Sequence, residues 1–315
     1  MDHSDIFKGA VRVKYENGTY SPLRFTQKQF DRYTGIPRCC YPYASSGVRM
    51  EFITAEPEIS FSYTFGAVWL FGSPPSIDIY ENGVLRQITE GNTDPAPHEV
   101  LYKRRSPEPS EISVYLPVDA ETRISEIMIG SYSPARPGKK KMLLLGDSIS
   151  QGLMVRYSSL CCAALIERYY HLDLLNQSVG GDIYDETALD EALPFEPDSI
   201  LIALGTNDIY FLGDYDAIAA NIGAYCKKIR VIWPDKKVTV ITPPYQLGIE
   251  GNPALYDLLG RVTDKISREA AVYGFDAVDG FDLIPHYPAF FADQAHPNDL
   301  GFSQYAFNLI SRLKI

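Results

Sequence analysis

The sequence predicts an all-β sandwich or jelly-roll domain followed by an α/β three-layer sandwich with a five-stranded parallel sheet, and three observations carry that prediction. Up to about residue 135, apolar residues recur with period two. A Pro/Gly-rich break, Ser133-Pro134-Ala135-Arg136-Pro137-Gly138, follows. Beyond it, short continuous apolar runs alternate with longer helical segments. At 315 residues the chain can bury two cores, so residues 1–135 and 136–315 are expected to form separate domains.

Each element of the first domain follows from alternation. Val48, Met50 and Phe52 alternate with Arg49 and Glu51, and Ile59, Phe61, Tyr63 and Phe65 alternate with small or polar residues. Ile77-Asp78-Ile79-Tyr80, Glu81-Asn82-Gly83 and Val84-Leu85 read as a hairpin, because Asn-Gly readily takes the positive φ angles of a tight turn. Ile112, Val114 and Leu116, then Ile124, Ile127 and Ile129, supply further strands, a repetition that fits a β-sandwich.

In the second domain, strands are expected near 142–145, 173–179, 199–204, 237–242 and 276–280, with helices near 155–170, 185–193, 215–231, 254–273 and 299–313. Runs such as Ile200-Leu201-Ile202-Ala203-Leu204 are what a parallel sheet covered on both faces requires. Right-handed crossovers would join the strands.

Composition is that of a globular protein, 45% hydrophobic and 22% charged. A net charge of -11 argues against nucleic acid and anionic membrane surfaces as partners. The one basic run, Lys139-Lys140-Lys141, reads as a solvated linker end. No apolar run approaches the ~20 residues that span a bilayer, and no secretory h-region follows Met1-Asp2-His3-Ser4-Asp5. A cytoplasmic location is expected, with secretion possible if an export signal precedes this sequence. Cys39-Cys40, Cys161-Cys162 and the isolated Cys226 form neither a disulfide framework nor a zinc spacing, so free thiols are expected.

Four polar clusters each follow a predicted strand. Leu143-Leu144-Leu145 ends in Gly146-Asp147-Ser148; the others are Ser178-Val179-Gly180-Gly181-Asp182, Gly205-Thr206-Asn207-Asp208 and Asp293-Gln294-Ala295-His296-Pro297. Ligands of open parallel sheets bind beyond the carboxyl ends of the strands, so all four share one rim. Asp293, three residues before His296, can hold the imidazole in one tautomer, which suits a general base acting on Ser148. Singly, each cluster is an ordinary turn or loop; jointly they indicate catalysis. His286 lacks a carboxylate at comparable spacing, His171 ends a predicted helix, and His3 and His98 fall in expected disorder and loop. Asp147, Asp182 and Asp208 are expected to bond loop backbone.

These residues resemble the SGNH hydrolases, also called the GDSL family of esterases and lipases, whose four blocks are matched in order by Ser148, Gly181, Asn207 and His296. The resemblance covers roughly residues 140–315, and Ile149 stands where the family name has Leu. Gly181 is preferred to Gly180 because Gly181-Asp182 matches the Gly-Asp of many members. It implies a flavodoxin-like sheet, Ser148 as nucleophile, His296 as base and then acid, and Asp293 as its orienting partner. The Ser148 and Gly181 N–H groups and the Asn207 amide would form the oxyanion hole. No metal or cofactor is implied. No Gly-x-Ser-x-Gly elbow surrounds Ser148, which argues against an α/β-hydrolase.

A β-sandwich ahead of this domain is similar to the carbohydrate esterases of family 2, which deacetylate plant-polysaccharide sugars. Members of that family often lack the aspartate partner of histidine, so Asp293 is a departure. Tyr210, Phe211 and Tyr245 are candidate substrate-binding residues beside the site. The expected activity is hydrolysis of short acyl esters, acetylated carbohydrates above all. A lipid acylhydrolase with the same triad, or a non-catalytic carbohydrate-binding protein, are the alternatives.

Overall fold

The computed structural model describes residues 2–39, 41–69, 74–135, 137–138 and 140–315. Met1, Cys40, Arg136 and Lys139, named above, lie outside the described residues.

Alternating side chains in the first half build β1 (Phe7–Lys8), β2 (Arg12–Glu16), β3 (Thr19–Leu23), β4 (Arg49–Thr54), β5 (Glu58–Val68), β6 (Ser76–Glu81), β7 (Val84–Glu90), β8 (His98–Lys103), β9 (Ser110–Tyr115), β10 (Ala120–Met128) and β11 (Tyr132–Pro134). One antiparallel sheet runs β1-β4-β9-β6-β7, with β11 beside β4, and the other β2-β3-β10-β5-β8. Met50, Phe52, Ile79 and Val114 of the first meet Ile59, Phe61, Tyr63 and Ile124 of the second in one core. Asn82 and Gly83 take φ of 52° and 76°, the turn expected between β6 and β7. His98 begins β8 and the His3 N–H donates to Tyr20 at 3.0 Å, so both histidines belong to the ordered sandwich, not to disorder and loop.

One helix here was not expected. Between β3 and β4 lies α1 (Gln27–Thr34), started by a reciprocal cap in which the Thr26 side chain accepts from the Gln29 N–H and the Gln29 side chain accepts from the Thr26 N–H.

The second half supplies β12 (Lys141–Gly146), β13 (Asp173–Asn176), β14 (Ser199–Ala203), β15 (Lys237–Ile241) and β16 (Asp276–Val278), all parallel, in the order β13-β12-β14-β15-β16. With strands counted along this half, that is the flavodoxin-like order. Its helices are α2 (Ser148–Gln151), α3 (Cys162–Tyr170), α4 (Thr206–Phe211), α5 (Tyr215–Ile232), α6 (Pro253–Val272) and α7 (Asp299–Ile310). His171 caps α3 with φ 53°, and Cys161, Cys162 and Cys226 are buried free thiols.

The helix expected near 185–193 is absent; only a single 3₁₀ turn, Glu186–Ala188, forms. The Asp185 and Asp190 carboxylates accept the N–H groups of Thr187 and Ala192, and such local side-chain bonds compete with helix formation. Helix α1 packs against this irregular segment. Gln29 Nε2 donates to the Ala188 carbonyl (3.1 Å), Thr26 Oγ1 to Asp190 (2.6 Å) and Arg32 to Asp185 (2.7 Å). Phe25, Tyr33, Val179 and Ala188 close a small apolar cluster between the halves. Strand β6 also faces both halves: its residues are buried throughout, and its Asp78 accepts the Ser159 N–H at 2.8 Å.

Candidate active site

Ser148 is placed by the abrupt change from β12 to α2. Asp147 is the N-cap, its carboxylate accepting the Ile149 N–H at 3.0 Å, and the four-residue helix stops at Gly152, which has φ 91°. The Ser148 Oγ lies 2.9 Å from His296 Nε2. On the other side of the ring, Nδ1 lies 2.8 Å from Asp293 Oδ2. With the proton on Nδ1 donated to Asp293, Nε2 is free to accept from the serine hydroxyl.

The segment carrying Asp293 and His296 is tied mostly by its own bonds, with one from outside, the Gly248 N–H to the Gln294 carbonyl at 2.9 Å. Asp293 Oδ1 accepts the N–H groups of Ala295 (2.7 Å) and His296 (2.6 Å), the Ala292 N–H donates to the His296 carbonyl (2.9 Å), and Phe291 pairs with Pro297. Partial burial would raise the Asp293 pKa, but the His296 ring and these N–H donors outweigh it and hold the carboxyl down at about 2. It is therefore a fixed anion beside the imidazole.

Hydrogen bonds link the glycine cluster to the strand end before the serine, and the asparagine cluster to the glycine cluster. The Val179 N–H donates to the Gly146 carbonyl at 3.0 Å, and Asn207 Nδ2 donates to the Asp182 carbonyl at 3.0 Å. Gly181 has φ 81°, and a Cβ there would stand 1.9 Å from the Arg38 carbonyl oxygen, so glycine is required twice over. The Gly180 N–H is engaged by Gln151 Oε1 at 2.6 Å, which favours the second glycine as a donor to substrate.

The three carboxylates expected to bond loop backbone do so. Asp147 accepts the Ile149 N–H and Asp208 the Tyr184 N–H at 3.1 Å, while Asp182 is held by the Ile183 N–H and also takes the Tyr33 hydroxyl at 2.9 Å. Burial pushes Asp147 and Asp182 up to about 6 and Asp208 up to about 7. No group of three or more His, Cys, Asp or Glu suited to a metal ion occurs among the described residues.

The aromatic candidates divide. Tyr210 and Phe211 on α4 are 46% and 52% exposed, with the Tyr210 hydroxyl donating to Gln246 at 2.8 Å, so both can face a ligand. Tyr245 is held in a stack of rings and lines a cavity with Tyr256, Phe281 and His286. It is buried, stacks on His286 at 3.9 Å, packs against Phe291 behind the histidine loop and donates its hydroxyl to Glu250. None of these contacts reaches Ser148, Asp293 or His296. His286 does have a carboxylate nearby, Asp282 at 3.7 Å, but its Nε2 bonds the Phe281 carbonyl and its ring is part of that stack. Sequence reasoning missed Tyr33, Arg38 and Gln151, which touch the Gly180–Asp182 turn. Only the Thr26/Gln29 cap could have pointed to the first of them.

A parallel sheet bearing a hydrogen-bonded serine, histidine and aspartate on its carboxyl rim defines the class of serine hydrolases. Residues 144–303 match the GDSL-like Lipase/Acylhydrolase family, and the chain belongs to that family. No curated protein matches this chain in sequence. Among solved structures, the salicylyl-acyltransferase SsfX3 from a tetracycline biosynthetic pathway is similar with a TM-score of 0.79 at 21% identity, over 96% of this chain and 92% of that one. A putative GDSL-like lipase from Bacteroides ovatus gives 0.76 at 17% identity, over 98% and 96%. A family two carbohydrate esterase from Clostridium thermocellum, solved with cellohexaose, gives 0.65 at 16%, over 94% and 98%. The two-part architecture is thus shared along nearly the whole chain.

Proposed function

We propose that this protein is a serine esterase that removes short acyl groups, acetyl in the first place, from hydroxyls of carbohydrates. The observation that carries the catalytic part is the unbroken relay from Ser148 Oγ through His296 to Asp293. Ser148 Oγ attacks the ester carbonyl while its proton passes to His296 Nε2. The tetrahedral oxyanion is met by the N–H groups of Ser148 and Gly181 and by Asn207 Nδ2. As the ester C–O bond breaks, the imidazolium returns the proton to the leaving alcohol. Water then attacks the acyl-serine, giving up a proton to His296, and collapse of the second intermediate releases the carboxylic acid and reprotonates Ser148.

Fold similarity to the Clostridium thermocellum esterase, N-terminal sandwich included, supports the carbohydrate reading. The exposed rings of Tyr210 and Phe211 offer faces on which a sugar could stack. Acetate release from a panel of acetylated mono- and oligosaccharides, compared with acetate and octanoate p-nitrophenyl esters, tests it. Turnover of acetylated sugars with weak octanoate activity is expected; equal or greater kcat/KM on octanoate would move the assignment to a lipid acylhydrolase. Similarity to SsfX3 favours one second reading, in which the acyl-serine is taken by an alcohol instead of water. Adding an alcohol acceptor and measuring ester product against free acid separates the two.

A further inference from the structure

The esterase reading assigns the developing oxyanion partly to Gly181 and Asn207, and any role for the groups that hold these donors rests on that reading. Neither donor is held by its own element alone. Gly180 and Gly181 have no side chains to pack, and the loop that carries them lacks the helix that would ordinarily come after it. Gln151, three residues after Ser148 and fully buried, does the holding. Its Oε1 accepts the Gly180 N–H at 2.6 Å, while Nε2 faces the carbonyls of Tyr41 (3.5 Å) and Val118 (3.4 Å), both from the first half of the chain. These partners fix which end of the amide is oxygen. Its backbone is tied as well, N–H to the Asp147 carbonyl at 2.9 Å and carbonyl to the Ser46 hydroxyl at 2.5 Å.

A second strut reaches the same turn from α1. Tyr33 donates to Asp182 Oδ2, and the Asp182 carbonyl accepts from Asn207 Nδ2. Arg24, fully buried, spends its guanidinium on the carbonyls of Ala44 (2.7 Å), Asn176 (2.7 Å) and Ser178 (3.0 Å), fixing the start of the loop.

We infer that Gln151 is a positioning residue for the esterase reaction: it clamps the Gly180–Gly181 peptide against the nucleophile turn, using the N-terminal half as anchor. Oxyanion donors work only within about 2.7–3.1 Å of the forming charge. A displacement of ~1 Å costs on the order of 10²-fold in rate. The N-terminal half is on this account a working part of the catalytic site.

The competing explanation is that Gln151 merely satisfies buried backbone groups, which would affect stability alone. Gln151→Met keeps the volume and removes both polar ends; Gln151→Glu keeps an acceptor for Gly180. Both are assayed on a short-chain ester with active sites counted by an organophosphonate titrant. Gln151→Met is expected to lower kcat per active site by roughly 10–100-fold with KM within about two-fold of wild type, and Gln151→Glu to lose less. Affinity for a boronic acid that mimics the tetrahedral intermediate should fall in the same proportion as kcat/KM. If Gln151→Met does not fold, Tyr33→Phe carries the test, with a loss of about 3–10-fold in kcat expected. A kcat per site within about two-fold of wild type, or a change confined to KM or Tm, would overturn the inference. Ser148→Ala, run in parallel, keeps the two levels apart: activity surviving there refutes the esterase reading itself, whatever Gln151 does.

Discussion

The two sides of the site are built in opposite ways. Asp293 and His296 lie three residues apart in one loop, and the Asp293 carboxylate finds its hydrogen bonds inside that loop, which is tied to the rest of the fold by the Gly248 N–H on the Gln294 carbonyl at 2.9 Å. The Gly180–Asp182 turn is held from afar, by Gln151 across 29 positions and by Tyr33 across 149. The carboxylate–imidazole pair is thus a local motif, braced from outside by Gly248 and by Tyr245 against Phe291. The glycine-turn side, the oxyanion side of the proposed mechanism, is held by bonds that only the complete fold supplies, so damage far from the chemistry should reach it first.

The largest effect tests what both sides share. Ser148→Ala is expected to lower kcat by on the order of 10⁴-fold or more while Tm stays near wild type, checked by p-nitrophenyl acetate hydrolysis and thermal unfolding. Activity within a few-fold of wild type would remove the common centre. Next comes the local side: Asp293→Asn should cost about 10²–10⁴-fold in kcat with little change in Tm, because its bonds stay inside one loop. Since the Asp293 carboxyl titrates at about 2, it is ionised throughout any ordinary assay range, and no activity loss between pH 4 and 9 is assigned to it.

On the long-range side, Asn207→Ala should lower kcat by roughly 10²–10³-fold with KM nearly unchanged, since an oxyanion donor acts on the transition state. A change confined to KM would make Asn207 a ground-state contact and break the comparison. The smallest effect is one of stability. Burial raises the Asp208 carboxyl to about 7, so between the ordinary carboxylate range and that value the folded protein keeps a proton that the unfolded chain has released. Its contribution is therefore present at low pH and lost as pH rises through about 7. Asp208→Asn, which cannot ionise, should flatten the fall in Tm between pH 5 and 8. An unaltered Tm profile would show that Asp208 does not titrate in this window.

The same contrast explains what was legible in the sequence. The α/β half announced itself through runs such as Ile200–Leu204, and the serine, histidine and aspartate through short spacings, because strand burial and local turns are written into neighbouring residues. Helix α1 was hidden among strand-like segments, signalled only by Thr26 and Gln29. The helix expected near 185–193 failed because Asp185 and Asp190 bond their own backbone and because α1, from about 155 residues earlier, bonds the same segment in its irregular form. Tyr245 carried no signal that would separate a site wall from a core stack; its partners His286 and Phe291 are distant in sequence. Gln151, three residues after the nucleophile, gave no hint of its bonds to Tyr41 and Val118.

The borrowed helix also imposes an order of events during synthesis. Arg24 leaves the ribosome 152 residues before the Asn176 carbonyl it will bind. At ~5–20 residues per second that is a delay of about 8–30 s. An isolated helix as short as α1 is marginal in water, so until then this stretch has only its first-half partners, Arg24 on the Ala44 carbonyl and Arg12 on the Gln27 side chain, to order it. The nascent chain should therefore pass through a stage in which the sandwich can already form while residues 24–39 are more open to proteases and chaperones than in the finished fold. Their protection would mark the moment when the second half, and with it the oxyanion turn, takes shape.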